Sequence, residues 1–314
     1  MTQLADDPRR TIPANRAIKR SRGRWRIIAF VAIALAAIAL FARFAPDIAG
    51  APDQVARVEV NGTITTSTAR LSALRQLAED DSVRAVIVAI NSPGGTTAGG
   101  EELYEALLTL AEYKPVVAVV NELGASAAYM TAIATDRVFA RRLSLIGSIG
   151  VLYRHVDAGR LLETIGVDLD KVASGQLKAE PEFDGPISPE ARESLDALVT
   201  DSFEWFVDIV AERRELSRSQ TLALADGRIM TGRMAVDTGL IDDIGGEAEA
   251  MLWLAENYGI DADMAIQTAY PPTRRGYGWV TDWIGQAAGE ALGIDLDGRM
   301  ALDGLVSLWH PSAR

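Results

Sequence analysis

The chain contains no cysteine, which excludes disulfides, thiol nucleophiles and cysteine-ligated zinc together. Histidine is nearly as scarce: His155 and His310 are the only two. No histidine-rich metal cluster can be built from them, and a histidine-dependent triad has to use one or the other. Lysine occurs only at positions 19, 114, 171 and 178, so a catalytic lysine has a short candidate roster. Positive charge is in deficit overall, with 31 Lys and Arg against 43 Asp and Glu and a net charge of −12. The basic residues that exist are crowded at one end. Residues 1–26 hold Arg9, Arg10, Arg16, Lys19, Arg20, Arg22, Arg24 and Arg26 against Asp6 and Asp7, a net +6 that leaves −18 on residues 27–314. So acidic a body repels phosphate backbones, which argues against a nucleic-acid partner. Apolar residues are not lacking: they make up 48% of 314 residues, enough for the core of one large domain or two small ones.

The basic head precedes Ile27–Ala42, sixteen consecutive apolar residues bracketed by Arg26 and Arg43. At about 1.5 Å per residue the run is slightly short for a bilayer core of about 30 Å. Snorkelling of Arg43, with Trp25, Phe41 and Phe44 at the interfaces, extends the span to roughly 20 residues. The expected layout is a basic cytoplasmic segment (1–26) and a transmembrane anchor (27–45). The body after about residue 46 then lies on the extracytoplasmic, periplasmic side of an inner membrane. A signal peptide cleaved near Ala49-Gly50-Ala51 is the competing interpretation, and a buried core helix is a third.

From Gln54 the chain alternates strand-like and helix-like stretches. Val55–Val60 is a short β-branched run and Ala85–Ile90 (AVIVAI) and Val116–Val120 (VVAVV) are continuous apolar runs, whereas Arg70–Ala78, Leu103–Leu110 and Ala127–Ala134 have helical spacing. Unbroken apolar strands separated by helices predict an α/β fold, with a mostly parallel sheet covered on both faces, over residues 54–260. Ser188-Pro189 opens a long helix running to about Glu215, with Ser as N-cap and Pro at the first position. Pro271-Pro272-Thr273-Arg274-Arg275-Gly276 reads as a linker into a C-terminal tail, 271–314. Trp279, Trp283, Ile284, Leu292 and Leu305 lie there in amphipathic stretches, expected to form a helix docked on the body or a neighbouring subunit, or an interfacial membrane contact.

Two strand-to-loop-to-helix junctions can carry chemistry. Asn91-Ser92-Pro93-Gly94-Gly95 follows AVIVAI, and its paired glycines allow a sharp turn that presents N–H groups as an oxyanion hole requires. Gly124-Ala125-Ser126-Ala127-Ala128 follows VVAVV and places Ser126 at a helix N-terminus. Ser126 is either an ordinary N-cap or a nucleophile. The segment nearly matches a hydrolase nucleophile elbow, yet neither histidine has a catalytic context; His155, beside Arg154 and Asp157, reads as solvated or structural. A neutral lysine can replace histidine as base if its pKa drops from about 10.4 towards 7–8, a cost of about 4 kcal/mol that burial can supply. Lys114 sits in a surface turn, Lys171 follows Asp168 and Asp170, and Lys178 lies in the small-residue segment 173–178. Position alone does not choose among them.

Taken together, VARVEVNGTI, AVIVAINSPGG, PVVAVVNELGASAAYM, SLIGSIGV, ASGQLKAEP and GRIMTGRMAVDTGLIDDIG span residues 55–245. In that order they resemble the short, half-length form of the signal peptide peptidase SppA family. The resemblance implies a ClpP/crotonase-type fold behind an N-terminal membrane helix. It also implies a serine endopeptidase with a Ser–Lys dyad, without cofactor or metal. Ser126 then corresponds to the nucleophile and Lys178 to the general base. Ser148 corresponds to the residue that orients the lysine, and the N–H groups of Gly95 and Ala127 to the oxyanion hole. Implied substrates are remnant signal peptides and other membrane-derived or unfolded peptides. The implied assembly is a ring-like homo-oligomer whose serine and lysine meet across subunits. Ala127-Ala128 departs from the Gly-Gly common after the nucleophile in this family, and the tail from Tyr270 matches nothing in it. Two other functions are compatible with such a fold: a crotonase-type CoA-thioester enzyme, disfavoured by a membrane anchor, and a non-catalytic scaffold, which predicts loss of Ser126 or Lys178.

Overall fold

The computed structural model describes residue 26 and residues 28–37, 52–272 and 305–308. Two units are distinguished, Met1–Pro52 and Asp53–Arg314. In the first, residues 28–37 are helical and expose Ile28, Phe30, Val31, Ile33 and Leu35. No helix among the described residues is long and apolar enough to cross a membrane; residues 27 and 38–45 of the expected span lie outside them.

The second unit is built on a parallel sheet. Its strands are β1 (Gln54–Asn61), β2 (Val83–Ser92), β4 (Val116–Ala125), β5 (Arg137–Ala140), β9 (Asp243–Ile244) and β10 (Ile266–Tyr270), in the order β10-β1-β2-β4-β5-β9. Every adjacent pair along that path is parallel. The apolar runs are continuous because both faces are covered. On one face Val86, Val88, Ile90, Ala118 and Val120 join the larger core, to which four helices contribute most. These are α1 (Thr68–Glu79), α2 (Thr97–Ala111), α3 (Ala127–Ile133) and α5 (Pro189–Arg213). On the other face the alternate residues Val55, Ala85, Ile87, Val117 and Val119 pack with Ala250, Met251 and Leu254 of α8 (Glu247–Tyr258).

The helices begin where the sequence supplies caps. Ser67 accepts from the Arg70 N–H at 3.3 Å, Thr96 from Gly99 at 3.0 Å and Ser188 from Ala191 at 3.2 Å. Pro189 occupies the first turn of α5, and the helix ends at Arg213, close to the expected limit. The helix expected at 103–110 starts earlier, at Thr97, because Thr96 caps it and Gly99 and Gly100 pack closely on Thr65 and Ala127.

Strand β4 divides its pairing. Its first half, Val117–Val120, pairs with β5, and its last three residues, Leu123–Ala125, pair with β6 (Leu145–Gly147). On its other edge the register with β2 slips between Ile90↔Val120 and Ser92↔Gly124, so β4 carries two extra residues and bends. Buried Ser144 ties the fork, its hydroxyl 2.7 Å from the Asn121 carbonyl and 3.0 Å from that of Val120. β6 also pairs antiparallel with β8 (Ile229–Thr231).

A second, three-stranded sheet joins β3 (Gly94–Thr96), β7 (Leu152–Tyr153) and β11 (Leu305–Leu308), with β11 in the centre and antiparallel to both neighbours. In the tail, 305–308 is therefore extended, not part of a docked helix. Two open strand edges are available there, and β11 satisfies both. The remaining expected tail stretches lie outside the described residues.

Leu103, Leu107 and Leu110 line one face of α2 and are essentially inaccessible. Leu107→Ala leaves a cavity against the sheet and is expected to lower unfolding stability by about 2–5 kcal/mol. Urea denaturation of the two proteins measures it; a loss below half a kcal/mol would mean that α2 is not packed as described.

Candidate active site

Ser126 stands where β4 ends and α3 begins. Its N–H donates to the Gly147 carbonyl of β6 at 2.8 Å, and its own carbonyl accepts from Tyr129 at 2.8 Å and Met130 at 3.0 Å, starting the helix. The residue therefore completes a strand ladder on one side and a helix on the other, and its φ of 59° and ψ of −121° are the result. That backbone region is sparsely populated by side-chain-bearing residues and costs about 1–3 kcal/mol. Ser126 is buried.

This geometry distinguishes Ser126 from a capping serine. Ser67, Thr96, Ser188, Ser217 and Thr231 all have extended backbones, and each accepts a helix N–H through its side chain. Ser126 has the opposite sign of φ and makes no side-chain cap to α3. The expectation of an ordinary N-cap is not what the chain adopts.

Gly95 lies across β3 from Ile64. The Ile64 N–H donates to the Gly94 carbonyl at 2.8 Å, and the Thr96 N–H donates to the Ile64 carbonyl at 2.9 Å. Because N–H directions alternate along a strand, the Gly95 N–H faces the opposite edge, away from Ile64. A Cβ at Gly95 would lie 1.7 Å from the Ile64 carbonyl oxygen, so no side chain fits. Ser92 braces this turn: its hydroxyl donates to the Gly62 carbonyl at 2.6 Å and accepts from the Gly94 N–H at 3.1 Å. Since Ser92 pairs with Gly124, β3 is carried beside the end of β4 and packs on α3, in which Ala127 is fully buried.

Ser148 follows Gly147, the residue whose carbonyl holds Ser126. It too has positive φ (51°), and its N–H donates to the Arg228 carbonyl at 2.7 Å. It lines a cavity of about 490 Å³ together with Leu152, Thr200, Phe203 and Asp226. Asp226 is held ionised by Arg228, which depresses its carboxyl to about 2.

The lysines fall in three environments. Lys114 donates to the carbonyls of Asp80 and, at 2.8 Å, Val83, and burial pulls its ammonium pKa down. It lies at the start of β4, roughly 30 Å along the strand from Ser126, too far to act on it. Lys171 bonds Glu180 at 2.7 Å and Glu182 at 2.9 Å, and these two carboxylates push its pKa up. An acidic setting was expected for Lys171, but its partners come from across the loop, not from Asp168 and Asp170. Lys178 is exposed, and among the described residues its ammonium has no hydrogen bond or ion pair. It belongs to an arm, residues 154–185, whose helix α4 (Gly159–Ile165) buries no residue. His155 serves that arm structurally, its Nε2 2.9 Å from the Gly185 carbonyl.

Ser126, Ala127, Ser148 and the Gly94–Gly95 strand are thus gathered around the end of β4, and Lys178 stands apart on the arm. Ser92, Ser144 and Ile64 support the site but were given no role from sequence. Ser92 and Ser144 lie inside the motifs quoted above, yet their hydroxyls become meaningful only once the carbonyls that they touch are known.

A buried serine at a strained strand-to-helix corner, beside a glycine-bearing strand whose outer edge β11 covers here, has the parts from which an attacking hydroxyl and an oxyanion hole are built. That is the chemistry of a hydrolase. Residues 109–261 match peptidase family S49. A Synechocystis sp. chain named as a protease is 38% identical over 228 residues, covering 71% of this chain and 82% of its own length. An Enterococcus faecium chain named as a signal peptide peptidase SppA is 28% identical, with 71% and 64% covered. Protease 4 of Haemophilus influenzae is 29% identical, with 69% and 37% covered. The chain belongs to peptidase family S49, the SppA family of serine proteases. That membership sets aside the CoA-thioester alternative.

The backbone of Ser126 gives the corner a measurable signature. At φ 59° and ψ −121° a glycine is unstrained. Ser126→Gly is therefore expected to raise unfolding stability by about 1 kcal/mol or more while removing the hydroxyl, whereas Ser126→Ala keeps the strain. Thermal unfolding of the three proteins checks this; a Gly variant less stable than the Ala variant would contradict the strained corner.

Proposed function

We propose that this protein is a membrane-anchored serine endopeptidase in which Ser126 is the nucleophile and Lys178, from a neighbouring copy, the general base. The observation that carries the nucleophile is the backbone of Ser126: among the Ser and Thr residues at helix starts, it alone of those described has positive φ and lacks a side-chain cap.

Neutral Lys178 takes the Ser126 hydroxyl proton as the oxygen attacks the scissile carbonyl. The N–H of Gly95, with that of Ala127 beside it, stabilises the oxyanion. The ammonium then returns its proton to the departing amine, and water hydrolyses the acyl-enzyme by the same route. Ser148, one residue from the carbonyl that holds Ser126, accepts or donates to the lysine amine and fixes its position. A lysine acts as a base only in its neutral form, which burial favours, so the mechanism calls for the arm to be covered when it works.

Its composition supports such burial. Val156, Leu161, Ile165, Val172 and Phe183 are exposed along the arm, with Val172 at 99%, a concentration that a soluble surface rarely carries unpartnered. A homo-oligomer that lays the arm on the next copy would dry these side chains and deliver Lys178 to a Ser126 that is not its own. The exposed apolar helix 28–37 and the basic residues before it support an anchor with the N-terminus in the cytoplasm and the protease unit outside. Remnant signal peptides and other membrane-derived or unfolded peptides are substrates suited to a cleft held at the bilayer surface.

The test uses the full chain in detergent and a fluorogenic peptide with a small apolar residue before the cleaved bond. Ser126→Ala and Lys178→Ala are each expected to abolish cleavage. Co-assembled in equal amounts, the two inactive variants are expected to recover about a quarter of the wild-type rate, because random mixing leaves one interface in four with both groups. Activity surviving Lys178→Ala would remove the base, and failure of the mixture would place both groups in one chain.

A further inference from the structure

We infer that Lys171 is a positioning residue for the proposed base: it clamps the turn that carries Lys178 to the anchored part of the arm and balances the carboxylates beside that turn. The inference rests on the reading of Lys178 as general base and adds what holds that base in place.

The arm is anchored unequally. Its last residues are fixed at the root, where the Phe183 carbonyl accepts from the Ala158 N–H at 2.6 Å and the Gly185 carbonyl lies 2.9 Å from His155 Nε2. Gly159 passes so close that a Cβ there would lie 2.2 Å from the Asp184 carbonyl oxygen. The stretch before them has no such support. Residues 163–179 are exposed without exception, and α4 contributes no buried side chain. Lys178 lies at the end of this stretch in a tight turn, its N–H donating to the Gly175 carbonyl at 3.1 Å. Ala179 then redirects the chain at a φ of 66°.

Lys171 joins the two parts. Its ammonium reaches Glu180 at 2.7 Å and Glu182 at 2.9 Å, and donates to the Lys178 carbonyl at 3.4 Å. One exposed ion pair would hold little. Here a single ammonium ties two carboxylates of the anchored part to the backbone of the base itself, in a segment with no apolar core to fix it. The same carboxylates push the Lys171 pKa up, so it remains a cation and does not serve as the base.

Charge adds a second role. A cavity of about 720 Å³ beside the clamp brings Arg154 and His155 from the root together with Asp170, Lys171 and Glu182. Glu180 stands two residues after Lys178 and Glu182 four. At the proposed destination of the base, the cavity at Ser148 adds Asp226, which Arg228 already pairs at 2.7 Å. Without the Lys171 ammonium, Asp170, Glu180 and Glu182 are left against Arg154 and His155, with Asp168 exposed on the same stretch. Uncompensated carboxylates favour the protonated form of a neighbouring lysine, which cannot act as a base.

The test uses the full chain in detergent with the peptide assay above. Lys171→Met removes the charge at similar length, Lys171→Arg keeps it, and Lys171→Met/Glu180→Gln/Glu182→Gln removes both signs. Lys171→Met is expected to lower kcat about ten- to hundred-fold with KM within about two-fold. Its acid-side fall in kcat/KM is expected to move up by about one pH unit. Lys171→Arg recovers the profile and most of the rate; the triple variant returns the profile without the rate, because the clamp is still missing. Quench-flow hydrogen exchange of 172–179 is expected to be faster in Lys171→Met than in wild type or Lys171→Arg. A Lys171→Met enzyme with wild-type kcat, an unmoved profile or unchanged exchange overturns the inference, while an inactive Lys178→Ala leaves the base assignment standing. Should Lys178→Ala stay active, the base assignment has failed; faster exchange in Lys171→Met then still supports the clamp on the turn, and unchanged exchange overturns it.

Discussion

The exchange of partners along β4 is the constraint on which the site depends. A strand that paired with β5 over its whole length would run straight past the position where Ser126 turns. Instead its last three residues transfer to β6, and the Ser126 N–H closes that short ladder on the Gly147 carbonyl. The next residue must already be helical, because Tyr129 and Met130 bond back to the Ser126 carbonyl. Only an unusual backbone satisfies both demands, and it is imposed on a residue that carries a hydroxyl.

Such a corner survives because its surroundings over-determine it. α3 is buried along its whole length, and the Tyr129 hydroxyl donates to the Leu240 carbonyl at 2.7 Å in a site so dry that the phenol's pKa is driven up. Ser144 holds the fork beneath, and Ser92 fixes the glycine turn alongside. Strain of a few kcal/mol is small against the apolar burial of the core on this face, so local cost is tolerated where chemistry requires it.

The arm follows the opposite logic. Residues 154–185 bury almost nothing of their own and are tied to the rest by a few contacts, such as the Ala158 N–H to the Phe183 carbonyl at 2.6 Å. Apolar side chains there face outward, and Lys178 stands among them. In the proposed mechanism the rigid corner and the exposed arm are complementary, one offering the nucleophile and the other the base.

Much of this was legible in the residues. Strand and helix periodicity foretold the parallel α/β sheet, and Ser188-Pro189 the long helix, because binary pattern and cap chemistry are local properties. The glycine turn at 94–95 and the serine at 126 stood out for the same reason, and the scarcity of lysine narrowed the candidates for a base. What sequence could not decide was anything set by neighbours remote along the chain: the sign of φ at Ser126, the bracing by Ser92 and Ser144, the carboxylates that hold Lys171, and the extended rather than helical form of 305–308. A segment such as LVSL has no fixed preference until two unfilled strand edges are presented to it. Composition and order determined the layers, the caps and the candidate residues, since these depend on nearest neighbours. The tertiary structure alone determined which backbone is strained and which edge is open, since both arise from hydrogen bonds between elements that only folding brings together.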